Sequence, residues 1–211
     1  MKSRPILFSA PMVKAILEGR KTQTRRLIKF VAPSGNISYR RPAGDPLITE
    51  TQNTQGYTTR TVPEGLMLQC PYQVGDQLWV RENLRLDAAG FWVYAADRAL
   101  VEFDPEHEAA ALVWADHKDK EHCPSIHMPR WASRILLEIT EVRAQQLRKI
   151  SEEDALQEGI HEDLLPAHLR YGKELPSPQH AFGHLWESIN GKGSWDANPW
   201  VWAITFKRVK P

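Results

Sequence analysis

The sequence predicts an α+β fold, and three observations support this class. Alternation of apolar and polar residues, typical of half-buried strands, recurs in three segments: 77–82, 135–142 and 200–207. Apolar residues at helical spacing mark three short helices: 10–18, 152–158 and 181–190. Polar stretches rich in turn-forming residues separate these segments and show neither period. We therefore expect a β-rich fold with short helices packed against it.

The length of the chain favours one domain with insertions over two complete domains. Its 211 residues, 42% of them hydrophobic, can bury a sizeable core. Three segments with little apolar periodicity are predicted insertions, near 33–64, 97–123 and 161–178. The first of them borders the polar cluster described below and is either a lid or simply a mobile loop. We expect a single domain over residues 1–211, and a monomer.

Charge and cysteine content limit the functional classes. The formal net charge is +1, which argues against a protein that coats nucleic acid through a broad basic surface. No run of about 18 apolar residues occurs, so we expect neither export nor insertion into a membrane. The two cysteines, Cys70 and Cys123, form no disulfide framework, as in a reducing compartment. The expected location is the cytoplasm.

The N-terminal helix ends at a corner that holds a dense polar cluster. Ser9 can cap this helix, and Gly19 ends it. Residues 22–28 suit a strand, so the cluster lies at a helix-to-strand corner, where side chains can converge on a pocket. Lys21 and Thr24 are three residues apart and would face opposite ways on a regular strand. They can cooperate only if the chain bends between them, and we predict that bend.

The later elements carry their own boundary signals. A Gly-Asp turn leads into the first alternating strand, and a strand at 91–95 forms a hairpin with the segment before it. Ser151 can cap the middle helix, and Gly159 stops it. Pro199 opens the last strand, which should close the sheet.

The order of residues at the corner is specific. Gly19-Arg20-Lys21-Thr22-x-Thr24-x-Arg26 resembles the signature of the ASCH family, small β-barrel domains related to the PUA fold of RNA-binding proteins. The likeness is closest to the branch that resembles bacterial N(4)-acetylcytidine amidohydrolases, which carries Lys and Thr at these two motif positions. Many other ASCH proteins have a glutamate where Thr24 stands. The resemblance implies a PUA-like, mostly antiparallel β-barrel with short flanking helices and long insertion loops.

Glu158 is the candidate for a third functional group. It ends the helix at 152–158, where the negative end of the helix dipole disfavours an ionised carboxylate by several tenths of a kcal/mol unless a cation pairs with it. Lys21 would be such a cation. The amidohydrolases of the branch also place a functional glutamate in the helix after a long strand, and residues 155–158 match that segment. The resemblance thus implies that Lys21, Thr24 and Glu158 are catalytic. An exposed glutamate without a role is the competing interpretation.

Five further residues are candidates for binding a substrate. Arg20 and Arg26 belong to the motif, and Arg26 would contact the substrate or its carbonyl group. Trp79 neighbours Arg81 and Glu82 on a strand that follows a loop, so its ring could stack on a pyrimidine while they read the edge of the base. Packing in the core is the competing interpretation of Trp79.

Metal binding is a rival chemistry with few candidate ligands. His122, Cys123 and His127 give the pattern His-Cys-x-x-x-His, whose side chains are types that zinc uses. A structural zinc site usually needs a paired motif, yet Cys70 has no histidine near it in the sequence. The chain also lacks a phosphate-binding glycine loop and a Gly-x-Ser-x-Gly nucleophile turn. We expect no metal and no cofactor.

Two hypotheses on function follow. In the first, which the resemblance implies, the protein is an amidohydrolase that removes the acyl group from an N(4)-acylated cytidine-type nucleoside. A threonine hydroxyl needs a base, so Lys21 would take the proton of Thr24, while Glu158 orients Lys21 or protonates the departing amine. Direct attack by water is an alternative that the sequence leaves open. In the second hypothesis, an RNA-binding module or ribonuclease uses the same basic pocket.

Overall fold

A computed structural model describes residues 1–28, 70–102, 121–161 and 176–209, together with the backbone of four short strands between residues 30 and 61. Most of the three predicted insertions lies outside the described residues. Within the described part of the chain, no helix is long and apolar enough to cross a membrane.

Strands and a few helices make up the described chain, so the predicted α+β class is confirmed. In chain order the elements are β1 (Ser3–Leu7), α1 (Ala10–Leu17), β2 (Gln23–Leu27), β3 (Phe30–Val31), β4 (Ile37–Ser38), β5 (Thr49–Gln52), β6 (Thr58–Thr61), β7 (Gln77–Arg81), β8 (Leu84–Leu86), β9 (Trp92–Tyr94), β10 (His122–Cys123), β11 (Leu136–Gln146), α2 (Glu152–Gln157), α3 (Pro178–Asn190) and β12 (Trp200–Val209). Helix α3 begins earlier than its apolar spacing predicts, because Ser177 caps it and Pro178 suits its first turn.

The main sheet has five strands in the order β1-β7-β11-β12-β2. Strand β1 runs parallel to β7, whereas the other three pairings are antiparallel. Alternate residues of the central strands point to one face, where they pack with α1 into the largest apolar cluster. Leu78, Leu137 and Ile204 in this cluster are fully buried. A smaller sheet, β10-β8-β9, contains the predicted hairpin as the β8–β9 pair.

The prediction of a closed barrel is wrong for the described residues, because the sheet is open and β1 and β2 form its two edges. Strand β1 ends at Leu7, and the chain then turns into α1. A side chain bridges the two edges instead: Nη2 of Arg26, on β2, donates to the carbonyl oxygen of Leu7 at 2.9 Å. The guanidinium carbon of Arg26 lies 5.3 Å from the ring centroid of Phe8. The edges therefore meet through side chains, and the functional candidates lie beside this seam.

Gly159 allows the end of α2 to approach the corner after α1. Its φ angle is +83°, and a Cβ atom added there would lie 2.9 Å from Cβ of Lys21 and 3.0 Å from Cβ of Ala15. Gly19 follows α1 with a similar φ of +75°, yet an added Cβ would meet nothing within 4 Å. The two glycines thus share a left-handed backbone but differ in the space around them.

Gly159→Ala is therefore expected to destabilise the protein more than Gly19→Ala. Both changes strain a left-handed residue by about 1–2 kcal/mol, and Gly159→Ala adds about 1–3 kcal/mol because it overpacks the contact with Lys21. Urea unfolding of both variants measures the difference. Equal losses of unfolding free energy would show that α2 can move away from the corner at no cost.

Candidate active site

The backbone joins the corner to the end of α2. Lys21 forms an isolated antiparallel bridge with Glu158, and the amide of Thr22 donates to the carbonyl of Gln157 at 2.8 Å. The amide of Lys21 also donates to the carbonyl of Ala15 in the last turn of α1, at 3.0 Å. Lys21 is thus held between two helix ends, just before β2 begins.

The side chain of Lys21 is buried, and each N–H of its ammonium has an acceptor. Nζ lies 2.7 Å from Oε2 of Glu158, 2.8 Å from the carbonyl oxygen of Glu158 and 2.8 Å from that of Gln23. Burial lowers the pKa of Lys21 below its usual value against the opposing attraction of Glu158, while Arg26 and Arg25 lower that pKa further. The predicted partnership of Lys21 and Glu158 is therefore present as a buried ion pair.

A second cation holds the other oxygen of Glu158. Nη1 of Arg25 donates to Oε1 of Glu158 at 3.0 Å and to Oε1 of Gln23 at 2.7 Å. Nη2 of Arg25 donates to Oδ2 of Asp154 at 2.8 Å. Sequence analysis did not single out Gln23, Arg25 or Asp154. Two spacings in the sequence could have indicated them. Residues 23 and 25 share one face of a strand, and Asp154 and Glu158 share one face of a helix.

Thr24 follows Lys21 by three residues in the chain. Its side chain makes no hydrogen bond to any described residue. Thr24 pairs with Ile204 of β12 and is buried. The carbonyl of Gln23 that Lys21 contacts belongs to the peptide unit directly before Thr24, so the ammonium lies close to the Thr24 backbone. The structure thus brings the ammonium of Lys21 near the backbone of Thr24.

The two arginines of the motif occupy different surroundings. Arg26 is partly buried, and its guanidinium and the Lys21 ammonium both lie close to the ring of Phe8, with Nζ of Lys21 5.5 Å from the centroid. Burial lowers the pKa of Arg26. Arg20 lies further out: its Nε donates to Glu18 at 2.8 Å, and its Nη1 donates to the carbonyl of Gly159 at 3.4 Å. Arg26 therefore borders the ion pair, and Arg20 lies at its rim.

Trp79, Arg81 and Glu82 make their contacts away from the corner. Trp79 is buried, and its ring centroid lies 4.6 Å from the guanidinium carbon of Arg81 and 5.6 Å from that of Arg130. Glu82 is buried and accepts two hydrogen bonds of 2.9 Å from Arg134. Because side chains alternate along β7, Trp79 faces away from the cluster that contains Leu78 and Val80.

The potential metal ligands do not form a group in the described residues. His122 and Cys123 are neighbours on β10, where the former is exposed and the latter is buried in a small apolar cluster. Among the described ranges, no three His, Cys, Asp or Glu side chains come together as metal ligands would.

Comparison with known proteins gives matches to solved structures alone. Models of known families and curated protein sequences gave no match to this chain. One solved structure that is similar is an ASCH domain from Lactobacillus crispatus JV V101. The match covers 100% of this chain and 81% of the Lactobacillus chain, with 14% sequence identity and a TM-score of 0.40. A DUF984 protein from Enterococcus faecalis V583 is similar over the same shares, with 10% identity and a TM-score of 0.38.

Proposed function

We propose that this protein is an amidohydrolase that removes the acyl group from an N(4)-acylated cytidine-type nucleoside. The observation that carries the proposal is the buried ion pair of Lys21 and Glu158, whose ammonium also donates to the carbonyl of the peptide unit directly before Thr24. A buried ion pair is poor evidence for stability, because well-packed apolar residues often serve as well or better. A buried lysine with a lowered pKa next to a potential nucleophile suits catalysis.

The chemistry assigns one role to each group. Neutral Lys21 takes the proton of the Thr24 hydroxyl, whose oxygen then attacks the exocyclic amide carbonyl. Arg26, whose guanidinium carbon lies 5.3 Å from the centroid of the Phe8 ring, would contact the substrate carbonyl as negative charge develops there. A water molecule that attacks directly, while Thr24 only hydrogen-bonds the carbonyl, is the competing form of the mechanism.

A second candidate function is binding of single-stranded RNA. The observation that favours it is the closeness of two guanidinium groups, those of Arg81 and Arg130, to the ring of Trp79, because aromatic rings next to cations bind bases and phosphates. Burial of the Trp79 ring counts against it. The net charge of +1 counts against a protein that depends on many phosphate contacts.

Two measurements separate these functions. Incubation with N(4)-acetylcytidine should release cytidine, detected by mass spectrometry. Gel-shift titration with single-stranded RNA at two salt concentrations tests the other candidate, since phosphate contacts give steeply salt-dependent affinity. Tight, salt-sensitive binding of RNA without turnover of any acylated cytidine would reject the proposed hydrolase function and favour the RNA-binding function.

The pH dependence tests Lys21 as the base. Since a base must be unprotonated, kcat/KM is expected to rise with pH through the pKa of Lys21, which lies below its usual 10.5. Glu158 raises this pKa, so Glu158→Gln should move the rising limb to lower pH even as it reduces the rate. Glu152→Gln, an exposed change on the same helix, should leave the limb in place. An activity that falls as pH rises through this range would identify Lys21 as a charged donor instead.

A further inference from the structure

We propose that Arg25 is a positioning residue that fixes the Glu158 side chain where it orients Lys21, so that Lys21 itself carries the proton from Thr24 to the departing amine. This inference rests on the proposed amidohydrolase function. It chooses between the two roles that the sequence leaves open for Glu158, orienting Lys21 or protonating the leaving group.

The carboxylate of Glu158 has one cation on each oxygen. Nζ of Lys21 lies 2.7 Å from Oε2, and Nη1 of Arg25 lies 3.0 Å from Oε1. The side chains of both cations are fully buried, and that of Glu158 is 3% exposed. Because both oxygens of Glu158 already accept hydrogen bonds from buried cations, the geometry favours its role in orienting Lys21 over a role as proton donor.

Other polar side chains hold the guanidinium of Arg25 in place. Oδ2 of Asp154 accepts from its Nη2, and Oε1 of Gln23 accepts from its Nη1. Oδ1 of Asp154 accepts from Gln23 at 3.1 Å and from Arg143 of β11 at 3.0 Å. Burial alone would raise the pKa of Asp154, but these hydrogen bonds and the charges of Arg25 and Arg143 hold it below its usual value. The planar guanidinium of Arg25 thus spans two carboxylates in one geometry.

Few charged groups face this pair. Lys21 faces Glu158 at the end of α2 and the two arginines of β2, Arg25 and Arg26. On α3, the ring of Phe182 packs against Arg25, with its centroid 5.6 Å from the guanidinium carbon. The charges that set the protonation of Lys21 therefore come from α2 and β2.

The proton balance of the reaction closes through Lys21. Neutral Nζ accepts the Thr24 hydroxyl proton as the Oγ1–C bond forms. When the C–N bond breaks, its electron pair goes to the amine nitrogen, which takes that proton from Nζ. Water then attacks the acyl-threonine and gives one proton to Nζ, which returns it to Oγ1 as the carboxylic acid leaves. Glu158 ends each step as the same carboxylate.

The pH profile of Arg25 variants tests this assignment. The charge of Arg25 lowers the pKa of Lys21, so Arg25→Met should move the rising limb of kcat/KM to higher pH, opposite to Glu158→Gln. Arg25→Lys keeps the charge but loses the planar fork, so its limb should stay near the native pH while kcat falls up to about a hundredfold. Lys14→Met removes an exposed charge from α1 and should change neither quantity.

A titration of the lysine side chains gives a readout that needs no substrate. In protein with labelled lysine, the NMR signal of Lys21 is assigned from its loss in Lys21→Arg, and its pKa is followed in both Arg25 variants. The expected result is a higher pKa in Arg25→Met and a near-native one in Arg25→Lys. If Arg25→Met does not fold, Arg25→Lys still decides, because an unchanged kcat there overturns the positioning role. An unchanged or lowered Lys21 pKa in Arg25→Met also overturns it, whereas absence of turnover in the native protein would end the proposed function alone.

Discussion

Lys21→Met is expected to lower kcat/KM on N(4)-acetylcytidine by at least about a hundredfold, the usual scale for removing a catalytic acid–base group. Methionine keeps most of the volume of the lysine stem but accepts no proton. Thr24→Ala should lose a similar factor, whereas Thr24→Ser should keep part of the activity because it retains the hydroxyl. Release of cytidine, followed by mass spectrometry over time, measures all three.

The folded fraction of each variant must be known before its rate is interpreted. Removing Lys21 leaves Glu158 paired with Arg25, so we expect the variant to fold. Native-like circular dichroism and a cooperative urea transition are the controls. Full activity in folded Lys21→Met would end the proposed mechanism, and a Thr24→Ala variant as active as Thr24→Ser would favour direct attack by water.

Arg134→Met is expected to lower the unfolding free energy by about 3–5 kcal/mol, since removing one partner of a buried ion pair leaves the other charge uncompensated. Nε and Nη2 of Arg134 bind the two oxygens of Glu82, which is 1% exposed. Burial already raises the pKa of Glu82, and the charge of Arg134 opposes that rise. The variant should therefore lose more stability at pH 8 than at pH 5, where Glu82 can take up a proton.

Lys207→Met is the matched control for this loss. Lys207 pairs with Glu138 at 2.9 Å, but both side chains are solvent-accessible, at 59% and 34%. Such a surface pair contributes at most about 1 kcal/mol. Urea unfolding of the two variants at both pH values gives the comparison. A loss in Arg134→Met no larger than in Lys207→Met would mean that water reaches Glu82, and would restore its candidacy as a substrate-binding residue.

The sequence predicted those strands and helices whose apolar residues recur with a clear strand or helix period. Strands β7, β11 and β12 alternate clearly, and Ser151 and Gly159 bound the helix that ends at Glu158. Strand β1 carries a proline and has one buried residue in five, so it shows little alternation. Its parallel pairing with β7 depends on the edge position, where a proline costs no ladder hydrogen bond. That β1 forms an edge of an open sheet also depends on tertiary packing, and the alternation of residues within one strand does not encode such packing.

In the candidate site, too, some residues were predictable from local sequence and others depend on tertiary contacts. Glu158 was predictable because a carboxylate at the negative end of a helix needs a cation. Arg25 was not, because a basic run resembles a solvated turn until the acids that bury it are known. Glu82 illustrates the opposite case: its strand position shows that it can face a pocket, but not that Arg134, 52 residues later, already occupies both oxygens.

The distance along the chain between the two halves of the ion pair governs when the site can form during folding. Lys21 and Glu158 are separated by 137 residues, and the amide of Phe206 closes the corner by donating to the carbonyl of Thr22 at 2.8 Å. Contacts of such separation form late, because the entropy of closing a long loop must be lost before they contribute. Until then Lys21 is an ordinary hydrated ammonium with an ordinary affinity for protons. Its lowered pKa is therefore a property of the completed fold and not of the corner sequence by itself.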